Sequence, residues 1–437
     1  MSSHFRKSPL QAKPGTNWAI HQKSTQQTWA SFGGPIRMAR GADAVALAAK
    51  CPVAAIEIPA HWLVLPTGID LQVHLRHPGQ PHKETLEGGL ESALYGGFDS
   101  IVTMPNTNPF LDSPEALEAA IAGARDLAAR YPVRIGFTAS ATKGMQGQEA
   151  APIEALASAG AVAITDDGWG VKSDKAQAEI FAACARTNLL FQQHAEVHGH
   201  GGVATASEFQ RREGLPEYPR SAESDMVKRD IELLRRSPGA RYHILHISTR
   251  ETLNEIRKAK REGLPVTAEV TPHHLFFSSD QIPPEGDSLS TAFKFNPPLF
   301  SAEDKAALRE ALRDGTIDCV STDHAPHESE LKQKGWRIAP FGTRGLETAL
   351  PALLSLVKEG ELSMSRLVEV FSTAPRRVLG KADFEHPTGL LFVDPNAAFR
   401  VSAEDLPGIS QNSCFLGTNL HGKIELRAEP GMLYARG

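Results

Sequence analysis

The sequence predicts an α/β protein: a (β/α)8 TIM-type barrel with a small β-sandwich-like domain drawn from the chain termini. Three observations carry this. Between residues 69 and 321, short apolar runs alternate eight times with stretches of helical spacing, which is the pattern of parallel βαβ architecture. Several apolar runs end in polar or ionisable residues followed at once by a loop: His74-Leu75-Arg76, Asn106, Asp166-Asp167-Gly168, His194, His246 and Asp323. Polar strand ends from separate strands converge only if the strands share a pole, as they do at the C-terminal face of a barrel. The chain has 437 residues, enough for a barrel of about 250 residues plus additions.

The elements follow in order. Strand one is expected over 69–75, and Thr85–Gly96 has helical spacing ending at a Gly-Gly stop. Strand two spans 99–104, and the Ala-rich 114–131 is helical. Strand three is 133–138, and a short helix near 152–159 precedes strand four at 161–165. Helix 173–187 leads to strand five at 189–194. Helix 223–236, with Ser221 as its N-cap, leads to strand six at 242–247. Helix 249–262 leads to strand seven at 266–270, and helix 302–313 to strand eight at 317–321. Helices near 345–358 and 363–370 close the ring. From 385 onward short strands and turns return. The domain reading is a flexible extension over 1–45, a small β domain from 46–66 and 385–437, and the barrel over 67–384. Before residue 66 only 53–58 and 62–65 look strand-like.

Composition excludes several classes. Net charge is −5 and the hydrophobic share 41%, giving no support for nucleic-acid or anionic-membrane binding. No apolar run approaches the roughly 18 residues of a membrane span. Cys51, Cys184, Cys319 and Cys414 form no CxxC pair and read as thiols of a reducing, cytoplasmic setting, with Cys319 in the core. Residues 1–42 hold six Lys or Arg and no Asp or Glu. That is compatible with a transit peptide, but a loosely docked extension is the preferred reading.

Imidazole and carboxylate ligands with an open position for water make a hydrolytic metal site. The residues at five strand ends that qualify are His74, Asp167, His194, His246 and Asp323. Arg76 offers a guanidinium fork for an anion.

The series Asp70-x-Gln72-x-His74-x-Arg76, Met104-Pro105-Asn106-Thr107-Asn108-Pro109, Thr165-Asp166-Asp167-Gly168, His246-Ile247-Ser248-Thr249, Phe295-Asn296-Pro297-Pro298, Thr322-Asp323-His324-Ala325-Pro326-His327 and Pro340-Phe341-Gly342 resembles the motifs of dihydroorotases. The type is the one with an aspartate in place of a carbamylated lysine, within the amidohydrolase superfamily. The chain departs at one place: Gln72 stands where the family has the first histidine of Asp-x-His-x-His-x-Arg. The resemblance implies one or two zinc ions. His74 and Asp323 would hold one, His194 and His246 the other, with Asp167 bridging. Asp167 is preferred to Asp166 because its spacing to His194 fits the family. Arg76, Asn106 and His327 would hold a substrate carboxylate, and Asn296 with Phe341 and Gly342 the ring. The implied reaction is the reversible cyclisation of N-carbamoyl-L-aspartate to L-dihydroorotate, with a metal-activated hydroxide and Asp323 as general base in the hydrolytic direction. His77, His198 and His200 are candidates to compensate for Gln72. A homo-oligomer is expected. Two other readings stand beside this one. The first is a catalytically impaired scaffold partner of aspartate transcarbamoylase. The second is a hydantoinase- or allantoinase-type amidohydrolase, less similar because strand four supplies no lysine. A polar loop over the site is expected near 328–339.

Overall fold

The computed structural model describes residues 10–11, 18–22, 24–31, 36–51, 56–197 and 199–435. Its centre is a parallel eight-stranded sheet. The strands are β1 (Gly68–Val73), β2 (Phe98–Thr103), β3 (Arg134–Ser140), β4 (Ala163–Thr165), β5 (Leu190–Gln193), β6 (Arg241–Ile244), β7 (Val266–Val270) and β8 (Cys319–Val320). Each pairs with its sequence neighbour. The ring closes where the chain past β8 meets β1: the His74 N–H donates to the His324 carbonyl at 2.8 Å, and the Asp70 carboxylate accepts the Thr322 N–H at 3.1 Å.

The two-residue period of a strand decides which side chains reach the interior. In β5, Phe191 points outward and meets Phe181 edge-on at 5.5 Å. Gln192 points inward and donates across the barrel to the Leu71 carbonyl. His194, two residues on, therefore falls on the inner side at the barrel mouth. The helices covering the sheet are α1 (Leu86–Gly96), α2 (Pro114–Ala128), α3 (Ile153–Ser158), α4 (Asp174–Thr187), α5 (Ala222–Leu234), α6 (Arg250–Arg261), α7 (Ala302–Asp314) and α8 (Ala349–Lys358). Thr85, Ser113, Ser173, Thr249 and Ser301 each accept the N–H three residues on, a cap that contributes about 1 kcal/mol apiece. Ser221 corrects the sequence expectation. It precedes α5, but its backbone is already helical (φ −84°, ψ −7°) and its side chain makes no cap bond. Capping needs the extended backbone that the other five have.

The N-terminal stretch also differs from the expected flexible extension over 1–45. Trp18–Gln22, Gln27–Ser31 and Arg37–Arg40 are strands of a four-stranded sheet completed by Ile56–Glu57. A second, five-stranded sheet joins Leu10–Gln11, Leu63–Pro66, Leu390–Arg400, Asn419–Glu429 and Met432–Ala435. The two sheets share a core of Trp18, Ile20, Trp29, Phe392 and Leu426, with Trp29 edge-on to Phe392 at 5.5 Å. Residues 1–9, 12–17 and 52–55, part of the expected extension and of the expected strand 53–58, lie outside the described residues.

Candidate active site

Five loops at the C-terminal face bring the predicted ligands together. His74 follows β1, and its Nε2 lies 3.0 Å from Asp323 Oδ1 and 3.1 Å from Asp167 Oδ2. Its Nδ1 is 2.9 Å from Asn106 Oδ1, so the loop after β2 orients the ring. His194 Nδ1 lies 2.9 Å from His246 Nε2, and each is 3.6 Å from Asp167 Oδ1. Asp167 thus turns one carboxylate oxygen toward His74 and Asp323 and the other toward His194 and His246. All five residues are buried. Asp166 turns away: its carboxylate accepts the Ala141 and Thr142 N–H groups at 2.8 and 3.0 Å.

Backbone strain accompanies this convergence. Arg76, His246 and Asp323 have φ of +58°, +30° and +48°, in the left-handed region that costs a non-glycine residue about 1–3 kcal/mol. Each stands just past a strand end, where the chain swings outward while its side chain stays over the mouth.

The electrostatics suit a cation. Burial opposes charge on His74, but the Asp167 and Asp323 carboxylates outweigh it and raise the imidazole to about 9. Burial likewise opposes charge on His194, yet Asp167 and Glu196 raise it to about 10. Asp167 is held well below the usual carboxylate range against its own burial by the three histidines. Protons therefore sit where a metal would, and binding a metal must release them. Asp167, His194 and His246 form one group of convergent ligand atoms, and His74, Asp167 and Asp323 another. The buried Gln72 Oε1 beside them has no hydrogen-bond partner. Three imidazoles and two carboxylates fit a divalent cation. A third group, His243, Glu269 and Cys319, lies inside the barrel. There His243 is already satisfied by Thr267 Oγ1 at 2.8 Å and Glu269 Oε2 at 2.9 Å.

Arg76 is buried beside this cluster. Its Nε donates to the Pro326 carbonyl and its Nη2 to His327 Nε2, both at 3.1 Å. Burial lowers Arg76 to about 10 and, with the neighbouring Arg76 charge, pushes His327 far below its ordinary range, so the imidazole is neutral. Gly342 packs on His327: a Cβ there would come 2.6 Å from the Ala325 carbonyl oxygen and 3.1 Å from His327 Cδ2. Asn296 Nδ2 donates to Glu196 Oε2 at 2.6 Å, next to His194. Phe341 does not join the cluster; it is partly exposed and packs under the Lys294 ammonium at 4.7 Å.

Sequence reasoning missed three supports. Glu196 lies 3.0 Å from His194 Nε2, on the ring edge opposite the candidate metal, where a carboxylate fixes the tautomer of a ligating histidine. Its signal was in His194-Ala195-Glu196, one strand period past the ligand. Asn412 accepts the His327 N–H at 3.0 Å and donates to the Ala325 and Gly342 carbonyls, but nothing local marks it. Lys332, in the expected loop 328–339, is buried and donates to the carbonyls of Lys294, Pro340 and Gly342. Of the candidates to compensate for Gln72, His77 instead meets the Ala120 carbonyl at 3.1 Å, and His200 lies 3.0 Å from Glu196 Oε1. His198 is outside the described residues.

A model of the family described as Dihydro-orotase-like matches residues 61–252. A protein named Dihydroorotase from Bacillus caldolyticus is 40% identical over 362 residues, covering 81% of this chain and 83% of that one. One of the same name from Staphylococcus epidermidis is 38% identical over 375 residues, covering 83% and 85%. Among solved structures, L-hydantoinase from Arthrobacter aurescens superposes with a TM-score of 0.80 at 24% identity, covering 96% of each chain, a likeness of fold. With relatives this similar over four-fifths of its length, the chain belongs to the dihydroorotase family.

Proposed function

We propose that the chain is a zinc-dependent dihydroorotase, opening L-dihydroorotate to N-carbamoyl-L-aspartate and catalysing the reverse cyclisation. The observation that carries this is the Arg76–His327 pair beside the metal-ligand cluster. A guanidinium and a neutral imidazole make a clamp for a free carboxylate next to the reacting amide, and that carboxylate separates dihydroorotate from a simple hydantoin. When bound, the ion supplies Lewis-acid polarisation and an activated water.

The residues divide the remaining work. Arg76 and His327 hold the carboxylate, with Asn106 closing that side. Asn296 and the Gly342 backbone flank the ring. Asp323 Oδ1 bonds His74, leaving Oδ2 to take a proton from the attacking water and pass it to the departing ring nitrogen. Water oxygen adds to the ring carbonyl carbon, and the ring C–N bond then breaks as the nitrogen takes the proton from Asp323, so one water is consumed and no other reactant is needed. Among the described residues no helix is long and apolar enough to cross a membrane. The reading also places the chain in the cytoplasm as a homo-oligomer.

Gln72 favours one rival, an impaired chain that scaffolds aspartate transcarbamoylase. Hydrolysis of L-dihydroorotate and of a 5-substituted hydantoin, each with added zinc, separates the readings. We expect dihydroorotate to be preferred by roughly 10–150-fold in kcat/KM, the value of about 1.5–3 kcal/mol for a charged hydrogen bond. Turnover of the hydantoin alone would replace the substrate assignment, and silence on both would favour the scaffold.

A further inference from the structure

Position 72 lies beside the ligand cluster, and its side chain is committed to a hydrogen bond. Gln72 is fully buried; its Nε2 donates to Asp167 Oδ1 at 2.9 Å, and Oε1 has no partner. In this orientation the carboxamide shows the shared carboxylate an N–H, not a lone pair. Turning the amide over would set Oε1 against the Asp167 oxygen and exchange an attraction for a repulsion.

The two halves of the cluster are therefore unequal. On one side stand His74 Nε2, Asp323 Oδ1 and Asp167 Oδ2, one nitrogen with two carboxylate oxygens. On the other stand His194 Nδ1, His246 Nε2 and Asp167 Oδ1, two nitrogens with one oxygen. Zinc and its neighbours favour imidazole. His194 is also braced: Glu196 Oε2 accepts from its Nε2 and from Asn296 Nδ2, which turns the Nδ1 lone pair toward His246.

We infer that Gln72 makes the centre asymmetric. One divalent ion is held tightly by Asp167, His194 and His246, and a second binds weakly and exchangeably between His74, Asp167 and Asp323. Gln72 acts as a positioning residue, fixing the shared carboxylate for the tight ion. This rests on the metal-centre part of the proposed function and is independent of the substrate.

The test is metal content of the full chain after dialysis against a weak chelator, followed by cobalt titration read from its visible absorption. Wild type is expected to retain about one ion and to take up the second at least tenfold more weakly than Gln72→His, which retains about two. His246→Ala should lose the retained ion, and His74→Ala should keep it. This pair decides which half holds the tight ion even if Gln72→His fails to fold. Gln72→Ala, which removes the bond to Asp167, is then expected to loosen the retained ion at least tenfold; an unchanged affinity in Gln72→Ala would overturn the positioning role. Two ions retained by wild type, or loss of the retained ion in His74→Ala but not in His246→Ala, would overturn the inference. Hydrolysis is assayed separately. One retained ion without dihydroorotate turnover leaves the asymmetry standing and removes the substrate reading; turnover with two tight ions does the reverse.

Discussion

Asp323→Ala is expected to lower dihydroorotate hydrolysis about a thousandfold or more, the largest effect of any single substitution in the cluster. Asp323 has two tasks here. Its Oδ1 fixes His74 at 3.0 Å, and in the proposed mechanism its carboxylate is the base. Removing it takes away a ligand of the weaker position and the proton carrier together. Asp323→Asn separates the two: it keeps an oxygen and tolerates the left-handed backbone at φ +48°, but it cannot take up a proton. Both variants should be nearly inactive by steady-state rates. Both should retain the ion held by Asp167, His194 and His246. A kcat for Asp323→Asn within tenfold of wild type would remove Asp323 from the proton transfer.

The second large effect is expected at Arg76. Arg76→Lys should lower kcat/KM for dihydroorotate by roughly 10–150-fold, mostly through KM, because an ammonium cannot reproduce a two-point contact. The fork is aimed before substrate arrives: Nε is tied to the Pro326 carbonyl and Nη2 to His327. The pH dependence follows from the same burial. Arg76 is lowered to about 10, so its charge is complete below that pH and is lost as pH rises through it. KM should therefore climb above about pH 10. His327 is already neutral throughout the working range, so it adds no inflection near 6–7. Arg76→Lys with the wild-type KM for dihydroorotate would contradict the clamp.

Much of this site was legible because barrel chemistry is written at strand ends. A two-residue period carries Gln192 inward, and His194 with it, so spacing alone places the ligand. Asp167 and Asp166 were harder, since adjacent residues at a turn compete; the two point opposite ways, and only one reaches the cluster. Contacts made across long sequence separations left no local trace. Asn412 reaches His327 from 85 residues away, and no motif predicts it. The N-terminal sheet was missed for a physical reason. Its strands are two to five residues long, and the Trp18–Gln22 and Gln27–Ser31 pair turns through Gln26 at φ +49°, where no glycine or asparagine marks the hairpin. Its stability comes from packing Trp18 and Trp29 on the C-terminal sheet, a partner more than 360 residues distant.

Removing and returning the metal tests the central claim most directly. The chain is stripped with a strong chelator, checked for retained fold by circular dichroism, and assayed on L-dihydroorotate before and after zinc is restored. Hydrolysis that vanishes with the metal while the fold persists, and returns with zinc, is the predicted result. Undiminished hydrolysis by metal-free protein would contradict the assignment of this barrel mouth as a metal-dependent dihydroorotase site.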